Sequence, residues 1–334
     1  MADSKNIATV KVRTLSVWPP VALAPMVGLT HSALRSTIQA IGGVGLFYTE
    51  MLAAKRLPSD NPRCSPPLIR AENERPLVYQ LVGADLRYIK PAIDKILTLE
   101  PQGIDFNLGC PAPMQKKQGA GSSLVDSPAE MRAILEEIRK ATELPLSVKI
   151  RLGHSEDGLK LAEFCKILEG EGVDLITVHA RLIGEKFCRV PRWHLVRHAK
   201  KAVRIPVFAN GGIFTVEDAK NCLEQSRADG IMIGRGGVTN PWLCADIARE
   251  LFGFYTNSGI SSKAEMYERF ITLLEQRFPK ERRLGRLKKF TSYFCQSFYF
   301  GHHFGTTVQG CSSVEEVRHK AAEFFATVDL DQLS

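Results

Sequence analysis

Several residues of this 334-residue chain stand where short apolar runs end, and their types could do chemistry together. In order they are Met26, Glu50, Gln80, Asn107 with Cys110, Lys149 with Arg151, His179, Asn210 and Arg235. Cys110 lies in the run Asn107-Leu108-Gly109-Cys110-Pro111. Glycine before it and proline after it make a sharp, rigid turn that presents the thiol. A thiol is mostly protonated at neutral pH, so it can act as a general acid. The competing account, an inert buried cysteine, suits Cys165 and Cys222, which fall in helical segments. Two glycine turns, Asn210-Gly211-Gly212 and Gly234-Arg235-Gly236-Gly237, let backbone N–H groups approach an anion closely. Arg235 could add a charge-assisted contact. Either turn alone is explained by tight backbone geometry, but the pair points to a phosphate-bearing ligand.

Lys149 admits three readings: a salt bridge at a strand end, a Schiff-base nucleophile, or a cation beside the N1 and C2 carbonyl of a flavin ring. Gln80 and Asn210 could hydrogen-bond the edge of such a ring. His179 is either a satisfied core histidine or a ligand contact. Arg151 and Arg181 could bind phosphate or pyrimidine carbonyls, or pair with a loop carboxylate. Glu50 could position a substrate or only accept a neighbouring N–H. Cys64 and Cys188 lie in loops and acquire no role.

The elements that must position these groups are eight β-type runs between residues 21 and 252, alternating with helical segments. Helices are expected over Pro128–Ala141 and over 216–225, the second started by Thr215 as N-cap. The second connection carries Pro58, Pro62, Pro66 and Pro67 and reads as a loop. Runs apolar on both faces suit parallel strands covered by helices. Strict alternation over this length predicts an α/β fold, a (β/α)8 TIM barrel, over a doubly wound sheet. No G-x-G-x-x-G follows the first run, which counts against a dinucleotide fold. In such barrels the active site sits at the C-terminal strand ends, with a phosphate site after strands seven and eight. That is where the residues above fall.

A Gly-, Asn- and Ser-containing break at 253–262 precedes an all-helical segment, with helices expected over 263–278, 282–300 and 314–326. The expected organisation is an N-terminal arm over 1–20, a catalytic barrel over 21–252 and a small all-α helical domain over 253–334. Net charge is +8 and pI about 9.1, which favours a polyanionic partner. A basic run holds Arg277, Lys280, Arg282, Arg283, Arg286, Lys288 and Lys289. On a helix Arg282, Arg286 and Lys289 share one face, either merely solvated or tracking nucleic-acid phosphates with salt-sensitive affinity. The aromatic residues that follow, Phe290, Tyr293, Phe294, Phe298, Tyr299 and Phe300, are expected to build the core of the small domain. Eight scattered cysteines form no C-x-x-C pair, so neither a structural zinc site nor any other metal is expected. There is no signal-type apolar segment and no membrane span. A cytoplasmic monomer with reduced thiols is expected.

Taken together, the motifs resemble the tRNA-dihydrouridine synthases over essentially the whole chain. The resemblance is carried by Ala24-Pro25-Met26-Val27-Gly28-Leu29-Thr30, Gln80-Leu81-Val82-Gly83, Asn107-Leu108-Gly109-Cys110-Pro111, Val148-Lys149-Ile150-Arg151-Leu152-Gly153, Thr177-Val178-His179-Ala180-Arg181, Asn210-Gly211-Gly212 and Gly234-Arg235-Gly236. It implies an FMN-binding barrel followed by a helical RNA-binding domain, with NADPH reducing the flavin. It implies hydride transfer to uracil C6 and protonation of C5 by Cys110. Pro25, Met26, Val27, Gln80, Lys149, His179, Asn210, Gly211, Gly212, Gly234 and Arg235 would bind FMN. Asn107 and Arg181 would contact a uracil flipped from its stack, with tRNA as partner. The chain departs from the family pattern in Leu182-Ile183-Gly184-Glu185-Lys186-Phe187-Cys188 and in Ala112-Pro113-Met114-Gln115-Lys116-Lys117, so the target uridine is left open.

Three other readings compete. A small-molecule flavoenzyme acting on pyrimidine bases would share the barrel but have no use for a basic helical appendage. An RNA-binding barrel without chemistry would not need Cys110, Lys149 and His179. A Schiff-base aldolase would be colourless and trapped at Lys149 by borohydride.

Overall fold

The computed structural model describes residues 9–62 and 65–327. Part of the expected N-terminal arm, Cys64 and the last seven residues of the expected helical segment lie outside the described residues. The strands are β1 (Val10–Val12), β2 (Leu15–Val17), β3 (Val21–Leu23), β4 (Leu46–Tyr48), β5 (Leu52–Ala53), β6 (Leu77–Val82), β7 (Gly103–Asn107), β8 (Leu146–Arg151), β9 (Leu175–His179), β10 (Val207–Asn210) and β11 (Gly230–Ile233). Parallel pairing runs from β3 through β4, β6, β7, β8, β9, β10 and β11 and returns to β3, so the sheet closes. The result is the expected eight-stranded (β/α)8 barrel. Its strands are apolar on both faces: every residue of β6 is buried, between the barrel interior and the surrounding helices.

The helix Pro128–Ala141 occupies its expected span. The helix Val216–Ser226 begins with a complete capping box, Thr215 accepting from the Asp218 N–H and Asp218 from the Thr215 N–H. The proline-rich connection holds β5 and two single 3₁₀ turns in place of a helix.

β1 and β2 form an antiparallel hairpin. Its Val10, Val12 and Val17 join one buried cluster with Leu46, Val78 and Leu175, which lie at or near the first residues of their strands. The hairpin therefore plugs the N-terminal end of the barrel, and the opposite mouth is left for the site.

Four helices follow the barrel: Lys263–Arg277, Arg283–Phe294, Gly301–Gly310 and Val314–Thr327. The single helix expected over 282–300 is broken. It stops at Phe294, Phe300 takes a left-handed φ of 55°, and a Cβ on Gly301 would lie 1.7 Å from the Cys295 carbonyl oxygen. Only glycine fits that turn. Phe290 and Phe294 are buried as expected, whereas Tyr299 and Phe300 point outward on the turn. Arg277, counted above among the surface charges, is instead docked on the barrel. Its Nη1 donates to the Ser32 carbonyl at 2.9 Å, to Ser36 Oγ at 2.7 Å and to Glu74 Oε1 at 3.1 Å. Glu74 is also held at 2.6 Å by Arg35, and both side chains are fully buried. This network joins the helix Ser32–Ile41 to the helix Lys263–Arg277.

Candidate active site

The C-terminal strand ends open into one cavity of about 330 Å³, within the range of small-molecule sites. Fifteen residues singled out in the sequence line it: Pro25, Met26, Val27, Gln80, Asn107, Cys110, Lys149, Arg151, His179, Arg181, Asn210, Gly211, Gly212, Gly234 and Arg235. Lys289 reaches it from the helix Arg283–Phe294, whereas Arg282 and Arg286 do not line it. Met51, Phe187, Phe214 and Tyr293 line it too, and no motif marked them.

A hydrogen-bonded polar set from β6, β7 and β8 backs the cavity, which its Gln80 and Asn107 line. Asp105 on β7 is fully buried. It accepts from Ser147 Oγ at 2.6 Å and from Gln80 Nε2 at 2.7 Å. Asn107 Nδ2 donates to Gln80 Oε1 at 3.0 Å. Asn107 Oδ1 accepts the N–H groups of Gly109 at 3.1 Å and Cys110 at 2.9 Å. Asn107, expected to touch substrate, is thus also the cap of the turn that carries Cys110. That thiol is half-buried at the cavity wall, unlike the buried Cys165, Cys222 and Cys244. Burial pushes the thiol of Cys165 up to about 12 and raises that of Cys222 as well.

Lys149 extends from β8 into the same space. Among the described residues its ammonium has no hydrogen-bond or ion-pair partner. Burial, reinforced by Arg151, pulls it down to about 8, while Asp105 and Cys110 act the other way. Asp105 moves in the opposite sense: burial pushes its carboxyl up to about 7, against hydrogen bonds from Ser147 and Gln80 and the charge of Lys149. Each group carries the mark of an apolar site that disfavours charge.

The far wall is basic. Arg181 Nη1 donates to His179 Nε2 at 3.0 Å, which fixes that nitrogen as an acceptor. Burial, then Lys149, Arg151, Arg181 and Arg235, holds His179 well below the ordinary histidine range, so the ring is neutral. Arg181 Nε also donates to the Arg189 carbonyl at 2.6 Å. Arg151 Nη1 donates to the Leu182 carbonyl at 2.8 Å. Both arginines therefore hold the atypical loop after β9. That loop lays Phe187 parallel to His179 at 6.0 Å, with the Arg235 guanidinium 4.7 Å from the phenyl centroid. Gly211 and Gly212 have φ of +108° and +74°, and a Cβ on Gly211 would lie 2.5 Å from the His179 ring. Asn210 Nδ2 donates to the Met232 carbonyl at 2.6 Å. Glu50 accepts the Gly28 N–H, and burial raises its carboxyl.

Among the described residues no group of three His, Cys, Asp or Glu side chains could hold a metal ion, and no helix is long and apolar enough to cross a membrane.

A parallel barrel whose strand ends gather a thiol, an ammonium and a basic wall around one cavity belongs to the TIM-barrel enzymes. Two solved structures share the fold at 13% identity. They are 2-naphthoyl-CoA reductase (TM-score 0.56, covering 74% of this chain and 52% of that longer one) and a variant of NCR from Zymomonas mobilis (TM-score 0.51, 74% and 90%). The chain belongs to the dihydrouridine synthase (Dus) family, whose model matches residues 22–328. Similar proteins include a probable tRNA-dihydrouridine synthase of Rhodobacter capsulatus, 33% identical, covering 73% of this chain and 76% of that one. Another, from Rickettsia prowazekii, is 28% identical over 96% of this chain and 98% of its own. Probable tRNA-dihydrouridine synthase 1 of Synechocystis is 29% identical over 86% and 81%.

Proposed function

We propose that this protein reduces uridine to 5,6-dihydrouridine in tRNA, with FMN in the barrel mouth and NADPH as reductant. The observation that carries this is the pairing, in one cavity, of a thiol presented on a capped turn and an ammonium left without a partner among the described residues. The residues fit the cofactor. A cation pulled down by burial is stabilised by an anionic ring or phosphate beside it. Gly211 and Gly212, at φ of +108° and +74°, take the glycine backbone with which a turn can present N–H groups to an anion. Gly211, Gly212, Gly234 and Arg235 would hold the phosphate, and Pro25, Met26, Val27, Gln80, Lys149, His179 and Asn210 the ring system. When bound and reduced, FMN supplies the hydride for uracil C6.

The chain's own residues do the rest. Cys110 Sγ–H gives its proton to C5, and Asn107 holds the turn that aims it. Lys149 stabilises negative charge on the ring. Neutral His179 accepts from Arg181 and keeps that guanidinium at the wall, where it can meet a uracil carbonyl. Arg151 braces the loop that carries Phe187. Residues 21–252 act as the catalytic unit. The helical segment 253–334 supplies the tRNA surface through Arg282, Arg286 and Lys289, in a cytoplasmic monomer.

The deciding experiment compares purified wild type with Cys110→Ala on unmodified tRNA. The variant should remain yellow, with an unchanged flavin spectrum, and lose dihydrouridine formation. A colourless wild-type protein, or full turnover by Cys110→Ala, would overturn the proposal.

A further inference from the structure

Asp105 lies two residues before Asn107 on β7, so both side chains face into the barrel. It does not line the cavity, it is fully buried, and the chemistry above gives it no part. Its hydrogen bonds nevertheless determine which way two amides point. An ionised carboxylate only accepts, and a neutral one whose proton lies on the oxygen facing Ser147 still offers Gln80 only an acceptor. Gln80 must therefore turn its NH₂ toward Asp105, as it does at 2.7 Å, and its oxygen away. That oxygen can be satisfied only by a donor, so Asn107 must present its NH₂ to it, at 3.0 Å. Asn107 is then left with its oxygen toward the turn, where it accepts the Gly109 and Cys110 N–H groups. Reversing either amide would set donor against donor at the Cys110 turn or acceptor against acceptor at Asp105. Each such mismatch leaves buried polar groups unpaired.

We infer that Asp105 is a positioning residue for Cys110: through Gln80 and Asn107 it sets the polarity of the relay that holds the thiol's turn. The inference rests on the reading of Cys110 as proton donor. It also gives Ser147 a function. Ser147 donates to the other Asp105 oxygen, and a hydroxyl can turn to accept instead.

The test uses that freedom, in the full-length flavin-loaded enzyme. In Asp105→Asn, the new oxygen can keep accepting from Gln80 while the new NH₂ donates to Ser147, so the relay survives. In Ser147→Ala, Asp105 still accepts from Gln80. In the double variant the Asn NH₂ has no acceptor at position 147 and turns to Gln80. Gln80 then flips, Asn107 flips, and a donor faces the Cys110 N–H.

Both single variants should retain most of kcat for dihydrouridine formation. The double variant should lose about ten-fold more than the product of the single effects, with KM for tRNA little changed. The alkylation rate of Cys110, followed by mass spectrometry of its peptide, should depart from wild type in the double variant alone. Both substitutions nearly conserve volume, and thermal melting checks the fold. Additive effects, or wild-type kcat and alkylation in the double variant, would overturn the inference. Turnover by Cys110→Ala would instead remove the proton-donor reading. The relay is then judged on Cys110 alkylation, with the same non-additive pattern expected.

Discussion

Lys289 Nζ donates a hydrogen bond to the Val27 carbonyl at 2.7 Å, tying the helix Arg283–Phe294 to the loop that follows β3. On its other side the same loop is held by Glu50, which accepts the Gly28 N–H. Gly28 has a left-handed φ of +74°, and a Cβ there would stand 2.6 Å from Lys289 Nζ. Met26 and Val27 line the cavity. The helical segment thus reaches into the mouth and fixes part of the wall proposed to cover the flavin. Of the basic face, Arg282 is exposed, whereas Arg286 is half-buried with its guanidinium 4.9 Å from the Phe278 ring centroid.

Lys289→Met should consequently act on both cofactor and RNA. Losing one hydrogen bond worth about 1 kcal/mol weakens FMN retention roughly five-fold, and RNA affinity falls as well. Arg282→Gln, at an exposed position, should weaken tRNA binding and its salt dependence and leave the flavin untouched. Flavin fluorescence titrations and tRNA binding at two salt concentrations separate the two. Equal flavin affinity in Lys289→Met and wild type would show that the Val27 contact is idle.

How far the sequence reveals this site depends on distance along the chain. The eight strand runs, the helix Pro128–Ala141 and the Thr215 cap are local patterns, written in apolar spacing and capping chemistry, and they were legible. The strand-end rule then gathered Gln80, Asn107, Cys110, Lys149 and His179 at one mouth, because parallel closure puts all C-terminal ends on one side. Partnerships formed across the fold were not legible. Arg277 reads as one more surface charge until Glu74, 203 residues away, is seen beside it. Phe187 sits in a loop with no family pattern, and bonds from Arg181, Arg151 and Arg235 to that loop's carbonyls bring it to His179. Tyr293 reads as one aromatic among many, because helical spacing does not say which turn of the helix meets the barrel.

Gly211→Ala tests the anion cradle. At φ +108° an alanine is strained, and its Cβ would lie 2.5 Å from His179 Cδ2 and 2.8 Å from Nε2, in a ring held by Arg181. The ring cannot yield as a flexible chain end would. FMN affinity should fall at least about five-fold, the scale of 1–3 kcal/mol of local strain, while the far-ultraviolet circular dichroism stays native. Gly253→Ala is the control for backbone strain alone: it shares a left-handed φ, +64°, but a Cβ there meets nothing within 4 Å. It should cost stability without loss of flavin. Undiminished FMN affinity in Gly211→Ala would remove the cradle from the proposal.

Lys149, in its proposed place beside the flavin, should make cofactor binding depend on pH with a definite sign. In the cofactor-free protein its ammonium titrates near 8. An anionic ligand beside it favours the charged form and raises that value, so binding above pH 8 takes up a proton. FMN affinity should fall about two-fold from pH 7 to 8 and then weaken further toward pH 9.5, approaching ten-fold per unit. The FMN phosphate is already ionised across this range. The same shift means that the unfolded chain holds the Lys149 proton more tightly than the folded one. This group's contribution to stability in the cofactor-free protein therefore grows as pH rises above about 8. Lys149→Met should bind FMN at least about ten-fold more weakly at pH 7, the worth of a charge-assisted contact, and show no such slope. Calorimetric titrations at pH 7, 8 and 9.5 measure both. A slope that persists in Lys149→Met would assign the linked proton to another group and leave Lys149 without its part in holding the ring.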